Sequence, residues 1–219
     1  MRIRFKKWAR PELEASKFYI DNPEEYKGKW ETLFKNKATI HLELGCGKGG
    51  FISQIAPKNL NRNYIAIDLV DAMLGLAKRK IEESYKEIKQ KPENIYITRY
   101  DIDRILNIFS PEDKIGRIYI NFCNPWPRGK HHKKRLTYTR QLEHYKQFLK
   151  PGGKIYFKTD DDNLFEESIH YFEDTEFKIE KITRDLQNEP DFWENIETEH
   201  EKMFSEQGIK IKALIAKAK

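Results

Sequence analysis

Cysteine is nearly missing from this 219-residue sequence: Cys46 and Cys123 are the only two, far apart and without Cys-x-x-Cys spacing. That excludes a disulfide framework and a structural zinc site, and it suits a reducing compartment. Also absent is any apolar run approaching the roughly 18 residues that cross a bilayer, so no membrane association is expected. The opening Met1-Arg2-Ile3-Arg4-Phe5-Lys6-Lys7-Trp8 has no apolar stretch behind its charges, which predicts no secretion signal and a soluble, cytoplasmic protein. No internal repeat or low-complexity tract interrupts the chain. A large excess of either charge sign is lacking as well: Lys+Arg 41 against Asp+Glu 35 leaves a net +6, which by itself implies only solubility.

What is present is aromatic surface. Tyr 11, Phe 13 and Trp 4 are far more than a solvated polyelectrolyte carries, so a chain that is 35% charged can still bury a core. The length fits one large domain or two small ones. Residues 1–37 are basic, aromatic and irregular, and are read as an extension packed on a single domain spanning 38–219. Basic residues gather at Arg2, Arg4, Lys6, Lys7 and Arg10 and again from Arg128 to Arg140, whereas the stretch from Asp160 to Glu201 is acid-rich.

From residue 39 onward short β-rich runs alternate with longer helical stretches. Strands are expected at Thr39–Leu44, Tyr64–Ile67, Asn94–Tyr100, Arg117–Phe122, Lys154–Lys158, Phe177–Thr183 and Ile209–Ala216. Helices are expected from Gly50, over Ala72–Lys89 with a stripe of Met73, Leu76, Ala77, Ile81 and Tyr85, and from Leu136 to Leu149, where Lys150-Pro151-Gly152-Gly153 stops the last one. Seven strands separated by helices predict an α/β fold: a mostly parallel sheet with helices on both faces and an antiparallel C-terminal strand.

Glu43-Leu44-Gly45-Cys46-Gly47-Lys48-Gly49-Gly50 joins the first strand to the first helix, where glycines let the backbone approach a ligand. A mononucleotide P-loop is ruled out, because no Ser or Thr follows the Lys and the four-residue gap is missing. A dinucleotide site fits the glycines and Asp68, which closes the second strand at the distance expected of a ribose ligand. Glu43, however, would repel a pyrophosphate and suits the cationic amino-acid end of S-adenosylmethionine. Plain turn and cap readings remain open for the loop, for Asp68 and for Asp101.

The fourth strand runs into Cys123-Asn124-Pro125-Trp126-Pro127-Arg128 at a sheet edge where open α/β folds bind ligands. Cys123 could be a covalent nucleophile or a small strand-end residue. Lys130, His131, His132, Lys133, Lys134 and Arg135 follow without an intervening acid and suit an RNA backbone, or else a solvated face. The adjacent histidines lack metal-ligand spacing and face RNA or solvent. Asp160-Asp161-Asp162 and Thr198-Glu199-His200-Glu201 read locally as helix caps, and no metal site is expected.

Taken in order, Glu43-Leu44-Gly45-x-Gly47-Lys48-Gly49, Asn121-Phe122-x-x-Pro125-Trp126-Pro127, Lys133-x-Arg135-Leu136-Thr137, Phe157-Lys158-Thr159-Asp160 and Thr198-Glu199-x-Glu201 resemble the bacterial tRNA (guanine-N7-)-methyltransferases over nearly the whole chain. The resemblance implies a class I methyltransferase, Rossmann-like fold, S-adenosylmethionine as cofactor, tRNA as partner and the variable-loop guanosine at position 46 as methyl acceptor. By the same resemblance Glu43, Gly45, Gly47, Asp68, Asp101 and Asn124 line the cofactor site. Arg128, Asp160, Thr198, Glu199, His200 and Glu201 meet the guanosine, and Lys130 to Arg135 contact RNA. The chain departs from the family pattern at two positions, with Asn124 where the family has a catalytic Asp and Asp68 where it has Glu. No obligatory protein partner is implied, so monomer and homodimer both fit.

Guanine N7 carries an in-plane lone pair and no proton, so its methylation needs no general base and no metal. Asn124 is therefore expected to position base or cofactor through its amide. A carboxylate that reads guanine through N1–H and the exocyclic amine is expected at Asp160 or Glu201. Two other readings remain: methylation of an exocyclic amine, which the Asn-Pro-Trp segment resembles, and a non-catalytic RNA-binding module with a degenerate cofactor site.

Overall fold

The structure, a computed structural model, describes residues 5–218; Arg2 and Arg4 of the N-terminal basic group lie outside the described residues. The chain divides into two compact units, the first ending at Asp113 and the second beginning at Lys114.

In the first unit, helix α1 (Ala9–Glu14) leads into strand β1 (Tyr19–Ile20). Strand β2 (Ile40–Leu44), helix α2 (Ile52–Lys58), strand β3 (Asn63–Asp68), helix α3 (Asp71–Glu87) and strand β4 (Ile95–Arg99) follow. The strands lie in the order β1-β4-β3-β2, and the pairings of β1 with β4, β4 with β3 and β3 with β2 are all parallel. All five residues of β2 are buried, as a strand covered on both faces requires. The register sets Leu44 beside Ile67 and Asp68 beside Arg99, so the carboxyl ends of β2, β3 and β4 form one edge.

The N-terminal segment is more ordered than its sequence suggests. Asp113 accepts backbone N–H groups from Gly28 at 2.9 Å and Trp30 at 3.2 Å, while the Trp30 indole donates to the Ile108 carbonyl at 2.7 Å. Strand β1 exists because β4 offers it an edge; two residues have no strand signal of their own. Helix α1 packs on α3, where a Cβ on Gly75 would stand 2.7 Å from the Trp8 ring. The buried stripe of α3 is accordingly Ala72, Leu74, Gly75, Ala77, Ile81 and Tyr85, which leaves Met73 and Leu76 only half-buried.

The second unit holds strand β5 (Ile115–Asn121), helix α4 (Thr139–Phe148), strand β6 (Leu149–Thr159) and helix α5 (Asp162–Asp174). Strand β7 (Lys178–Thr183), helix α6 (Glu199–Glu206) and strand β8 (Lys212–Lys217) complete it. Its strand order is β5-β6-β8-β7, with β8 antiparallel to both neighbours. Eight strands are therefore found among the described residues, the seven expected ones plus β1. Strand β6 starts five residues earlier than expected, directly after α4. The register jumps from Ile115–Leu149 to Arg117–Lys154, so Lys150 to Gly153 bulge out of the ladder instead of preceding it. Phe148, Phe157, Phe165 and Phe172 fill the core of this unit. Asn121 lies beside Lys158 and Thr159 beside Lys212, which puts the ends of β5 and β6 and the start of β8 on one edge.

Candidate functional site

On the edge of the first unit the glycine loop leaves β2 with Gly45 at φ 76° and Gly47 at φ 54°, conformations that penalise any side chain. Gly47 has open space where a Cβ would stand, whereas a Cβ on Gly49 would be 2.8 Å from Ala77. Gly47 thus leaves room for a ligand, and Gly49 lets the loop pack on α3. The loop is tied back by Gly47, whose N–H donates to Asp68 Oδ2 at 2.9 Å. The other Asp68 oxygen accepts from Val70 N–H at 2.9 Å at the start of α3, so Asp68 also makes the turn its local sequence allows. Burial pushes the Asp68 carboxyl above the usual carboxylate range, against the backbone N–H groups that favour its charge.

Glu43 is 2% exposed on β2. Burial, together with the nearby charges of Asp68 and Glu43, raises the Cys46 thiol well above its ordinary value. The buried Glu43 carboxylate beside an open glycine loop disfavours a pyrophosphate and suits a cationic ligand, so these residues fit the sulfonium cofactor. Asp101 is exposed and its Oδ1 accepts from Asp103 N–H at 3.0 Å, capping a 3₁₀ turn over Ile102–Asn107.

On the edge of the second unit the loop after β5 is tightly folded. Phe122 (φ 51°) and Trp126 (φ 44°) both adopt left-handed backbone, which costs a bulky residue about 1–3 kcal/mol and clusters at functional sites. Between them Asn124 is exposed, and its Oδ1 accepts Trp126 N–H at 3.0 Å. An N–H can pair only with the oxygen, so the Asn124 amide spends Oδ1 on the turn and has Nδ2 as its donor. Phe122 stacks on His200 with centroids 6.2 Å apart. Burial pushes the Cys123 thiol up to about 12, which disfavours the thiolate that a nucleophile needs near neutral pH.

Among the three aspartates before α5, Asp161 caps the helix by accepting Leu164 N–H at 2.7 Å and Asp162 pairs with Lys212 at 2.6 Å. Asp160 does neither. Burial raises its carboxyl above the usual range and Asp161 adds to that, while Lys212 and His200 oppose it. Arg128, Glu199 and His200 are exposed.

Thr198 caps α6, accepting Glu201 N–H at 3.2 Å. The reciprocal half of a capping box is missing, because the Glu201 side chain turns elsewhere. At 2% exposed, Glu201 meets Lys158 Nζ at 2.5 Å through one oxygen and accepts Asn195 Nδ2 at 2.6 Å through the other. Lys158, 1% exposed, also donates to Asn195 Oδ1 and the Ile196 carbonyl, each at 2.9 Å. Glu201 is therefore a buried strut in this structure, with both side-chain oxygens bonded to protein partners.

The basic run divides in two. Lys130, Lys133 and Lys134 are exposed on a 3₁₀ turn over Gly129–Lys134, with Lys134 Nζ 5.0 Å from the Trp126 ring and His131 edge-on to it. Arg135 corrects the expectation of an RNA contact, being completely buried with its guanidinium bonded to protein acceptors. His132 likewise lies against Arg135 and Glu167 instead of facing solvent. Lys158, Asn195, Asn163, Glu167 and Tyr171 are not singled out by the sequence, because the bonds that join them to Arg135 and Glu201 include partners 28 to 43 residues away along the chain.

Solved structures share the fold. The 16S rRNA methyltransferase KamB superposes with a TM-score of 0.63 at 16% identity, covering 86% of this chain and 92% of that one. The aminoglycoside resistance methyltransferase NpmB1 gives 0.59 at 17%, covering 87% and 92%. The fold is therefore that of a class I methyltransferase. Residues 37–214 match the Methyltransf_4 family, described as "Putative methyltransferase". Proteins named tRNA (guanine-N(7)-)-methyltransferase are 59% identical in Clostridium beijerinckii, covering 99% of this chain and 98% of the relative, and 53% identical in Acetivibrio thermocellus over the whole of both chains. The chain belongs to this tRNA (guanine-N7-)-methyltransferase family.

Proposed function

We propose that the chain transfers the methyl group of S-adenosylmethionine to N7 of a tRNA guanosine, the one at position 46 of the variable loop. The observation that carries the reaction is the end-to-end similarity to relatives named for it, at 59% identity in the first of them. Position 46 rests on the family motifs in the sequence, tRNA as partner rests on the same relatives, and the cytoplasm as location rests on the sequence-based expectation alone. No helix among the described residues is long and apolar enough to cross a membrane.

S-adenosylmethionine, when bound, supplies a methyl group on a sulfonium, which needs only an aligned nucleophile. Glu43, Gly45, Gly47, Asp68 and Asp101 would hold it, with Glu43 favouring its cationic end and Asp68 its ribose. Guanine N7 has its lone pair ready, so the chain must orient the base and exclude water. Asn124 Nδ2 is a donor, and guanine presents acceptors at N7 and O6 where adenine presents an amino group at position 6. Asn124 is therefore read as gripping O6 beside the reacting N7, which fits guanine and rejects adenine. Asp160 accepts from N1–H and the exocyclic amine. Arg128 and His200 approach the guanosine from the exposed rim, and the Thr198–Glu201 turn holds His200 in place. Lys130, Lys133 and Lys134 pair with phosphates.

Incubating unmodified tRNA with methyl-labelled cofactor and mapping the product by nucleoside mass spectrometry tests this reading. N7-methylguanosine at position 46 is expected. N6-methyladenosine would move the assignment to exocyclic amines, and lack of calorimetric binding to S-adenosylhomocysteine would favour a non-catalytic RNA-binding module.

A further inference from the structure

Arg135 has the composition of a phosphate contact and the surroundings of a structural keystone. Its side chain is 0% exposed, and each of the five N–H donors of its guanidinium has an acceptor. Nε donates to the Pro125 carbonyl at 2.7 Å. Nη1 donates to Glu167 Oε2 at 2.7 Å and to the Tyr171 hydroxyl at 3.4 Å, and Nη2 to Asn163 Oδ1 at 2.8 Å and His132 Nε2 at 3.1 Å. His132 also lies against Glu167, with Nδ1 3.0 Å from Glu167 Oε2. Burial opposes the Glu167 charge, but hydrogen bonds from Tyr171 and Asn163 and the charge of Arg135 outweigh it and hold the carboxyl below the usual glutamate range.

The one backbone atom in this set is the carbonyl of Pro125, the residue after Asn124. That loop carries two bulky residues in left-handed backbone, a conformation that persists only where the surroundings over-determine it. Proline has no N–H with which to anchor itself, so its carbonyl is the available handle. We infer that Arg135 is the positioning residue for the Asn124 loop: it links Pro125 to helix α5 and so fixes where the Asn124 amide points. It touches neither base nor cofactor and acts only through the loop. The inference rests on the reading of Asn124 as the group that meets the guanine.

A lysine keeps the charge but loses the planar fork, and with it most of these bonds. Full-length Arg135→Lys and Glu167→Gln proteins should be compared with wild type in four measurements. These are kcat and KM for tRNA methylation, tRNA affinity against salt, thermal melting, and hydrogen exchange of the 122–128 backbone. For Arg135→Lys, kcat should fall roughly 10- to 100-fold, the range that misplacement of a reacting group by about 1 Å produces. KM should change little, the salt slope should stay at the wild-type value, and exchange in 122–128 should rise. Glu167→Gln should shift kcat and exchange in the same direction by less.

Wild-type kcat with only a lowered melting temperature would overturn the inference in favour of bulk stability. A salt slope flattened by about one with kcat retained would overturn it in favour of a phosphate contact. If Arg135→Lys does not fold, Glu167→Gln and Asn163→Ala carry the same comparison. Failure of the wild-type protein to methylate any tRNA would sink the proposed activity. The exchange measurement would still decide whether Arg135 orders the loop.

Discussion

The backbone N–H of Gly47 donates to the carboxylate of Asp68 at 2.9 Å, so the residue that closes β3 also holds the loop that leaves β2. The acid proposed to hold the ribose and the glycine loop, separate features in the sequence, form one unit in the folded chain. Asp68→Ala should therefore damage cofactor binding twice, by removing a ligand and by releasing the loop. S-adenosylhomocysteine affinity should fall about 10- to 100-fold, the equivalent of one or two hydrogen bonds to a charged group. Titration calorimetry reads this directly, and unchanged affinity would remove Asp68 from the site.

Removing one member of the Lys158–Glu201 pair leaves the other buried and uncompensated. Lys158→Met should cost about 3–5 kcal/mol in urea unfolding, whereas Lys158→Met combined with Glu201→Leu should recover much of it. If the two losses simply add, the pair is not coupled and Glu201 is free for another role.

Replacing Lys130, Lys133 and Lys134 together with alanine should weaken tRNA binding and flatten its salt dependence by about 2–3 in the log–log slope, one step per phosphate contact. Cofactor affinity should not move. An unaltered slope would place the RNA surface elsewhere.

Asn124→Ala loses both the acceptor for Trp126 N–H and the Nδ2 donor proposed to meet the base, and should lower turnover at least tenfold. Asn124→Asp keeps the turn but presents an oxygen to the base. Because Asp is the residue the family has here, the variant should retain both loop protection in hydrogen exchange and the preference for guanine in competition assays against adenine-substituted tRNA. Wild-type turnover in Asn124→Ala would rule out the role.

Glu167 sits below its ordinary range in the folded chain, so its stabilising contribution is present above the unfolded value and lost as the pH falls through the folded one. The stability difference between wild type and Glu167→Gln should therefore hold at neutral pH and shrink in acid below the ordinary glutamate range. Urea unfolding at a series of pH values checks it, and a difference that grows in acid would contradict the assignment.

The alternation of buried strands and helices, the glycine loop with Glu43 before it and the chain-long order of family motifs were legible without coordinates. Each depends on residue types at short, fixed spacings, because a buried strand, a left-handed turn and a close backbone approach accept few residues. The sequence could not separate Arg135 from Lys133 and Lys134, nor show that Glu201 spends both oxygens on Lys158 and Asn195. Nor could it show that two residues near position 20 complete a sheet edge. Those outcomes depend on partners as far as 78 residues distant, and a charged side chain becomes a strut or a surface contact according to what packs around it. The sequence by itself determined the class of fold and the kind of chemistry, through local patterns; the tertiary structure alone decided which charges face solvent and which hold the loops in place, because burial is a property of the assembled neighbours.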